Sequence, residues 1–402
     1  MPPSRALVVA LDLPLRAGDL AFTFAPGAAG AAPRGAGVIV PFGRRLLPGV
    51  VLGEGDPRPD LRPVLALVEP SPLIPEVTVD LAEWVARTYV SSVGEALSVA
   101  TPWDALWHGV RLEAGGAPPG PLSGGALRIL AALTRRPRSL RYAATLFGAS
   151  PELMGEVAES GLLRAGRPLT QAPALAVRTG VAGAQGERPP GREYRLMSDR
   201  SPRAARLADA VRHAMGGGPR ALVVAGWPRL SAYLAAVGAG LAAGWSCVAL
   251  FATTEAAGAF AAAASTAGFR PVLLHGGLPL ATRLAAWQGL AGARGALVVG
   301  TRAAIFAPVA DPVVAIVDDE DHSGHKEERA PRYLASAVAE QRTRGRGVLI
   351  IGATTPPVAT YGRVQAGQFS LLPLPSPRCR LGVVDLRRRA DPRAAVSQPV
   401  LD

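Results

Sequence analysis

Six side chains able to bind a metal or move a proton open one short stretch, within residues 318–325. They are Asp318, Asp319, Glu320, Asp321, His322 and His325, in VDDEDHSGHKEERAPRY over 317–333. Grouped carboxylates can hold Mg²⁺ for phosphoryl transfer, and carboxylates with histidines can ligate a transition metal. The three-residue spacing of His322 and His325 puts both rings on one face of a helix, although Gly324 weakens a helix there. A solvated acidic loop is the third reading. Which one holds depends on the elements that present the stretch.

The acids follow PVVAIV (312–317), an apolar run that predicts a buried strand with the carboxylates at its end. Similar runs are ALVVAG (221–226), SCVALFA (246–252), FRPVLLHG (269–276), GALVVG (295–300) and GVLIIGA (347–353), and Ala/Leu-rich helical segments separate most of them. Continuous apolar strands alternating with helices predict a parallel sheet covered on both faces. Ligands of such sheets bind at the carboxyl ends of the strands. The loops after Ala225, Gly300, Val317 and Ile351 are therefore the candidate site.

Before this unit the pattern differs. Residues 6–70 read as short strands punctuated by glycine and proline, which predicts a small β-barrel or sandwich. Residues 75–98 look helical, with Leu81, Trp84, Val85 and Tyr89 at helical spacing. Trp84, Trp103 and Trp107 read as core or hinge packing. Residues 122–165 form three short amphipathic helices, with Ser139 and Ser150 as N-caps and Gly148 and Gly161 as C-caps. Three helices with a tight glycine-containing turn predict a winged-helix or helix-turn-helix module, and a generic three-helix bundle is the alternative. Residues 166–195 read as a Pro/Gly-rich connector or loose wing.

The composition limits the possible functions. The chain has 402 residues, of which 49% are hydrophobic and 18% charged, as in a globular protein of several domains. No uninterrupted apolar run predicts a membrane span. The N-terminal segment makes a poor secretory signal, so a cytoplasmic protein is expected. Two cysteines, Cys247 and Cys379, supply neither a disulfide framework nor a four-cysteine zinc site. The formal charge of +12 is uneven: −3 over 1–120, +9 over 121–220 and +6 over 221–402. A basic middle and C-terminal portion suits contact with a nucleic-acid backbone, and an arginine-rich genomic composition accounts for it equally. Lys326 is the only lysine.

Taken in order, several strings resemble the primosomal protein N′ (PriA) family, replication-restart helicases of superfamily 2. They are VALDLPLRAGDLAFTFAPG, VPFGRRLLPGVVLG, LRPVLALVEPSPLIP and LAEWVARTYVSSVGEALSVATP, then HGGLPLATRLAAWQGL, GTRAAIFAP, the acidic stretch and LIIGATTPPVATY. The resemblance implies a multidomain chain. Residues 1–110 would form a small β-barrel-like domain that binds the 3′ end of DNA, and 122–170 a winged-helix domain. A linker would follow over 171–200, then one α/β RecA-like helicase lobe over 201–376 and a basic tail over 377–402.

The same resemblance assigns the site residues. The family's phosphate loop corresponds to VVAGWPRLSAYL (223–234), with Gly226, with Arg229 in place of the family's lysine, and with Leu230 in place of its threonine. Trp227 and Pro228 replace small residues there, Pro228 lacks an N–H donor, and arginine is no substitute for a compact ammonium. The family's Asp-Glu-Glu-His reads Asp318, Asp319, Glu320, Asp321. The second position is thus one methylene shorter, and about 1 Å of lost reach at a positioned base is costly in rate. The N-terminal pocket for the 3′ end maps to Phe22, Thr23, Gly35 and Arg62, with Phe24 able to exchange roles with Phe22. In the lobe, Arg302, Arg332 and Tyr333 map to DNA-coupling positions.

Family members continue into a second motor lobe with a cysteine-rich zinc segment. This chain ends at Asp402, which fits either a fragment or a motor-less form. The expectation is a replication-restart protein that recognises branched DNA or 3′ ends and acts as a pseudo-helicase. The vestigial acids would not be catalytic, and neither ATP, Mg²⁺, zinc nor a catalytic metal is expected as a cofactor. Primosome proteins, a single-stranded DNA-binding protein and a helicase loader are the partners the family implies, in the cytoplasm at the nucleoid. A weak but working ATP-dependent translocase and a protein-only scaffold are the alternatives.

Overall fold

The computed structural model describes residues 5–13, 21–68, 72–116, 120–148, 150–166 and 202–374. The expected linker at 171–200, the basic tail at 377–402 and Cys379 lie outside them.

The first strands are β1 (Ala6–Leu11), β2 (Phe22–Phe24), β3 (Gly37–Phe42), β4 (Arg45–Gly55) and β5 (Ala66–Val68). They pair antiparallel in the order β2-β1-β4-β3-β5. Alternation places Leu7, Val9, Leu11, Phe24, Val38, Val40 and Val51 in one apolar cluster on one side of the sheet.

The helical stretch expected over 75–98 forms two helices, α1 (Glu76–Tyr89) and α2 (Val93–Ala100). Ser92 breaks the run by forming a capping box with Glu95, each side chain accepting the other residue's backbone N–H at 3.0 Å. The Ser92 hydroxyl also donates to Leu13 O at 2.9 Å, which seats α2 against the end of β1. The seat is tight at Gly94, where a Cβ would lie 1.6 Å from Leu11 O. The added methyl must displace backbone, so Gly94→Ala is expected to destabilise the protein by about 2 kcal/mol. Urea denaturation measures it, and an unchanged midpoint would refute the packing argument. A short helix, α3 (Trp103–Trp107), follows, with the Trp103 and Trp107 rings edge-on at 5.3 Å.

The next unit has helices α4 (Gly124–Arg135), α5 (Leu140–Phe147) and α6 (Pro151–Glu159), with strands β6 (Arg111–Ala114), β7 (Arg138–Ser139) and β8 (Leu163–Gly166). Ser123, Ser139 and Ser150 each accept a backbone N–H as N-caps. Gly148 is the left-handed C-cap of α5, whereas α6 is capped by Ser160, with Gly161 following. β8 pairs parallel with β5 through Val68 and Ala165, so one eight-stranded sheet runs through both units. Their interiors merge as well: Ile39, Leu46 and Val68 share a core with Leu112, Leu130 and Phe147.

The third unit is α/β, and all its strands are parallel. In chain order it contains α7 (Pro202–Met215), β9 (Ala221–Ala225), α8 (Leu230–Ala242), β10 (Ser246–Leu250), α9 (Thr254–Thr266), β11 (Pro271–Leu274), α10 (Leu280–Leu290) and β12 (Leu297–Gly300). A 3-10 turn (Arg302–Phe306), β13 (Val313–Asp318), α11 (Ala335–Thr343), β14 (Val348–Ala353), α12 (Val358–Gln365) and β15 (Ser370–Pro373) complete it. The sheet order is β11-β12-β10-β13-β14-β9-β15. The six predicted strands are present; β15, on the edge beside β9, was not expected. Strands β13, β14 and β9 are neighbours, so the chain segments leaving Asp318, Ala353 and Ala225 converge.

The helices α1–α3 pack on this unit and share its core. Thr78 Oγ1 donates to Phe306 O at 3.4 Å, and the Tyr89 hydroxyl accepts the N–H of Leu334 at 3.1 Å. Among the described residues no helix is long and apolar enough to cross a membrane.

Candidate functional site

The acids at the end of β13 meet the arginine that precedes α8. Arg229 is 1% exposed. Its Nε donates to Asp318 Oδ1 at 2.7 Å, its Nη2 to Asp319, and its Nη1 to Gly226 O at 2.7 Å and to Thr354 Oγ1 at 3.4 Å. The Tyr233 hydroxyl donates to Asp318 Oδ1 at 2.8 Å. One planar fork thus spans two carboxylates and a carbonyl, a geometry that an ammonium cannot reproduce. Burial works against the Arg229 charge, but Tyr233, Asp318 and Asp319 raise its pKa above the ordinary value, so it stays cationic. Burial, and then Asp318, push the Tyr233 hydroxyl well up, so it remains a donor.

The sequence aligned Arg229 with the family's phosphate-loop lysine as a degenerate replacement. In the fold its guanidinium points into the protein, onto the acid pair. The loop around it is likewise engaged. The Gly226 N–H donates to Ala353 O, Trp227 is 55% exposed with its ring 5.3 Å from the Arg229 guanidinium, and Leu230 is 46% exposed. Tyr233 was missed, although its place one turn after Arg229 on α8 was the available signal.

The remaining residues of the acidic stretch serve local structure. Glu320 accepts from Thr360 Oγ1 at 2.7 Å, and burial raises its pKa despite that bond. Asp321 is exposed. His325 is buried, its Nε2 donating to Asp318 O at 2.6 Å, and burial lowers its pKa toward the neutral ring. His322 is exposed, and its Nδ1 accepts the N–H of Gly324. The two histidines do not share a helix face: residues 323–325 form a 3-10 turn. Among the described residues no three His, Cys, Asp or Glu side chains form a metal-holding group. Lys326 is exposed and takes no part in the acid pair.

Tyr333 does not fit the assignment to DNA. It is fully buried, edge-on to Phe306 at 5.3 Å, and burial raises its pKa. Arg302 is directed inward, its Nε donating to Glu327 at 2.9 Å and its Nη1 to Gly324 O at 3.3 Å. Burial works against the Glu327 charge, but Arg302 and the N–H groups of Arg329 and Glu328 hold its pKa below the usual range. Arg332 is exposed, with Nε donating to Glu328 O at 3.1 Å.

A second buried arginine was not anticipated. Arg342 on α11 donates to Ile305 O, Ala307 O and Val309 O, at 2.5, 2.8 and 3.0 Å. Asp311 lies 3.5 Å from its Nε, within ion-pair range but outside hydrogen-bond geometry. Burial lowers the Arg342 pKa, and Asp311 opposes that shift. This one side chain ties down the segment after β12.

In the N-terminal unit Phe22 and Phe24 have separate roles. Phe24 is 5% exposed and belongs to the core, whereas Phe22 is half-buried, edge-on to Phe42 at 5.2 Å. The exposed Arg62 donates from Nη1 to Gly43 O at 3.5 Å. Phe22, Phe42 and Arg62 therefore gather at the β3–β4 hairpin end. Thr23 pairs with Val8 and is half-buried. Gly35 has a packing role. It is buried at φ +82°, and a Cβ there would lie 2.0 Å from Ile74 O, so the position needs glycine for packing.

Known proteins match parts of the chain. Residues 8–102 match the family model of the PriA 3′ DNA-binding domain. The replication restart protein PriA of Bacillus subtilis is 35% identical over 108 residues, 27% of this chain and 13% of that protein. The PriA of Treponema pallidum is 32% identical over 129 residues, 31% of this chain and 20% of that protein. The PriA of Haemophilus influenzae is 28% identical over 136 residues, 32% of this chain and 18% of that protein. The chain thus spans about a fifth or less of the length of these relatives. A DEAD box protein from Methanococcus jannaschii covers 42% of this chain and 48% of its own at 13% identity, but its TM-score of 0.32 carries no weight. Residues 8–102 thus match a PriA 3′ DNA-binding domain, and over about a third of its length or less the chain is similar to PriA replication restart proteins.

Proposed function

We propose that this chain is a DNA-binding protein of replication restart, holding a 3′ end with its N-terminal unit and using its α/β lobe as a scaffold. The match of residues 8–102 to a 3′ DNA-binding domain carries the first half. Phe22 stacks on the terminal base, and Arg62 contacts its phosphate from the same hairpin end. The three-helix unit acts as a winged-helix module, and the lobe is RecA-like in its parallel sheet. Primosome proteins are the partners of such a scaffold, at the nucleoid.

The second half rests on Arg229. A divalent ion at Asp318 and Asp319 would have to displace a buried guanidinium bonded to both. Triphosphate at this loop would find the Gly226 N–H already donated, no N–H at Pro228 and no hydroxyl at Leu230. The residues present do not fit ATP·Mg²⁺.

Binding to a forked duplex with a free 3′ hydroxyl, against the same fork blocked by a 3′ phosphate, tests the first half. The wild type is expected to prefer the free end. Phe22→Ala is expected to weaken that binding by about tenfold or more, as one lost stacking contact implies. Equal affinity for both ends would overturn the 3′-end reading. Titration calorimetry with ATP·Mg²⁺ is expected to show no binding, and micromolar affinity with hydrolysis would overturn the scaffold reading.

A further inference from the structure

Helix α5 packs against strand β4, and an open cavity of about 560 Å³ lies between them. Arg44 and Arg45 line it from the hairpin and Arg141 from α5; Leu46, Leu47, Ala144, Thr145 and Gly148 complete the lining. All three arginines are exposed, and none has an ion-pair partner among the described residues. No carboxylate lines the cavity.

Three other arginines at packed junctions are neutralised: Arg34 by Asp80 and Glu83, Arg302 by Glu327, Arg363 by Glu340. Three unpaired guanidiniums around one groove give it a positive potential that attracts an anion. The groove floor is apolar and the volume falls in the range of pockets that enclose small ligands. Guanidiniums above an apolar floor suit a chain of phosphates joined by sugars, where forks hold the phosphate oxygens and aliphatic carbons meet the sugar.

Position gives the groove its role. Arg44 follows Gly43, whose carbonyl accepts Arg62, and Phe42 stands edge-on to Phe22. The hairpin end that gathers the 3′-end residues thus also supplies two walls of the groove. The opposite wall, Arg141, belongs to the helical unit, which the sheet joins to the first through β5 and β8.

We propose that this inter-unit groove binds the phosphodiester backbone of the DNA strand whose 3′ end is held at Phe22. The groove rests on the proposed 3′-end reading for its direction but not for its chemistry. It contributes affinity and no preference for the end, because backbone contacts do not read what lies at the terminus.

The test uses the full chain and a fluorescent primer–template with a recessed 3′ hydroxyl, beside its 3′-phosphate counterpart, titrated from about 50 to 200 mM salt. Arg44→Ser/Arg141→Ser removes one guanidinium from each unit. Arg270→Ser/Arg294→Ser removes two exposed charges from the α/β lobe as a control. The groove variant is expected to lose roughly tenfold in affinity for both DNAs, with the salt slope reduced by about 1.5 to 2, the loss for two phosphate contacts. Its preference for the free 3′ end, and its thermal unfolding, stay at the wild-type values. The control is expected to keep most of the slope. Equal losses in the two variants, or an unchanged slope in the groove variant, would overturn the proposal. A wild type without end preference, combined with a slope loss confined to the groove variant, overturns the 3′-end reading and leaves the groove standing.

Discussion

Replacing Arg229 by leucine is expected to lower the free energy of unfolding by about 3 kcal/mol at neutral pH, one of the two largest effects of any single substitution considered. The loss does not measure the worth of the ion pairs. Buried pairs are nearly neutral against an apolar substitute of the same shape, whereas removing one partner strands the other and costs about 3–5 kcal/mol. Asp318 is 13% exposed and stays out of water, so its stranded charge is costly. Asp319 is 48% exposed, so water relieves part of its cost and the lower end of that range applies. The Gly226 carbonyl also loses its donor. Adding Asp318→Asn and Asp319→Asn to Arg229→Leu is therefore expected to recover most of the stability. Urea denaturation of the wild type, single and triple variants measures both effects. A single variant as stable as the wild type, or a triple variant no better than the single, would show that the acids do not depend on the arginine.

Arg342→Met is expected to cost a similar amount, about 3–4 kcal/mol, and to loosen a different segment. The guanidinium satisfies three buried carbonyls between Ile305 and Val309. Each one left without a donor costs about 1–3 kcal/mol, and methionine fills the volume without supplying an N–H. Hydrogen exchange should quicken over residues 302–311, while exchange in the core of β10 and β13 follows global stability. Arg342→Lys keeps a charge but offers no planar fork, so it is expected to recover only part of the loss. Uniform loss of protection across the lobe would refute the local anchoring role.

What the sequence made legible followed from periodicity. VVAIVD, SCVAL and VLIIGA are buried on both faces, so their continuous apolar runs announced parallel strands directly. The capping serines Ser139 and Ser150 were readable because a cap is a local hydrogen bond. β15 was not, because SLLP is short, lies on an edge and has only half-buried or exposed residues. Arg342 sits in EQRTRG, which reads as a solvated helix end; only the fold shows that α11 presses it beneath the segment after β12. Arg229 was found as a departure from a motif, but the direction of its side chain is a tertiary fact. Tyr333 is a similar case: the resemblance mapped it to a DNA-coupling position, whereas the fold buries it against Phe306. The end of the β3–β4 hairpin lay between these cases. Its arginines were visible in VPFGRR, but their meeting with Arg141 required packing between units far apart in the chain.

The fork at Arg229 has a consequence for the routes open to this sequence. Lysine at position 229 alone would offer one point charge to two carboxylates set for a planar partner, and Trp227, Pro228 and Leu230 would still deny a phosphate its donors and its metal hydroxyl. Position 229 and the two acids are therefore tied together: a change at any one of the three leaves a partner of the buried fork unmatched. The arginine works as a ratchet, because its replacement is tolerated only when its neighbours change with it.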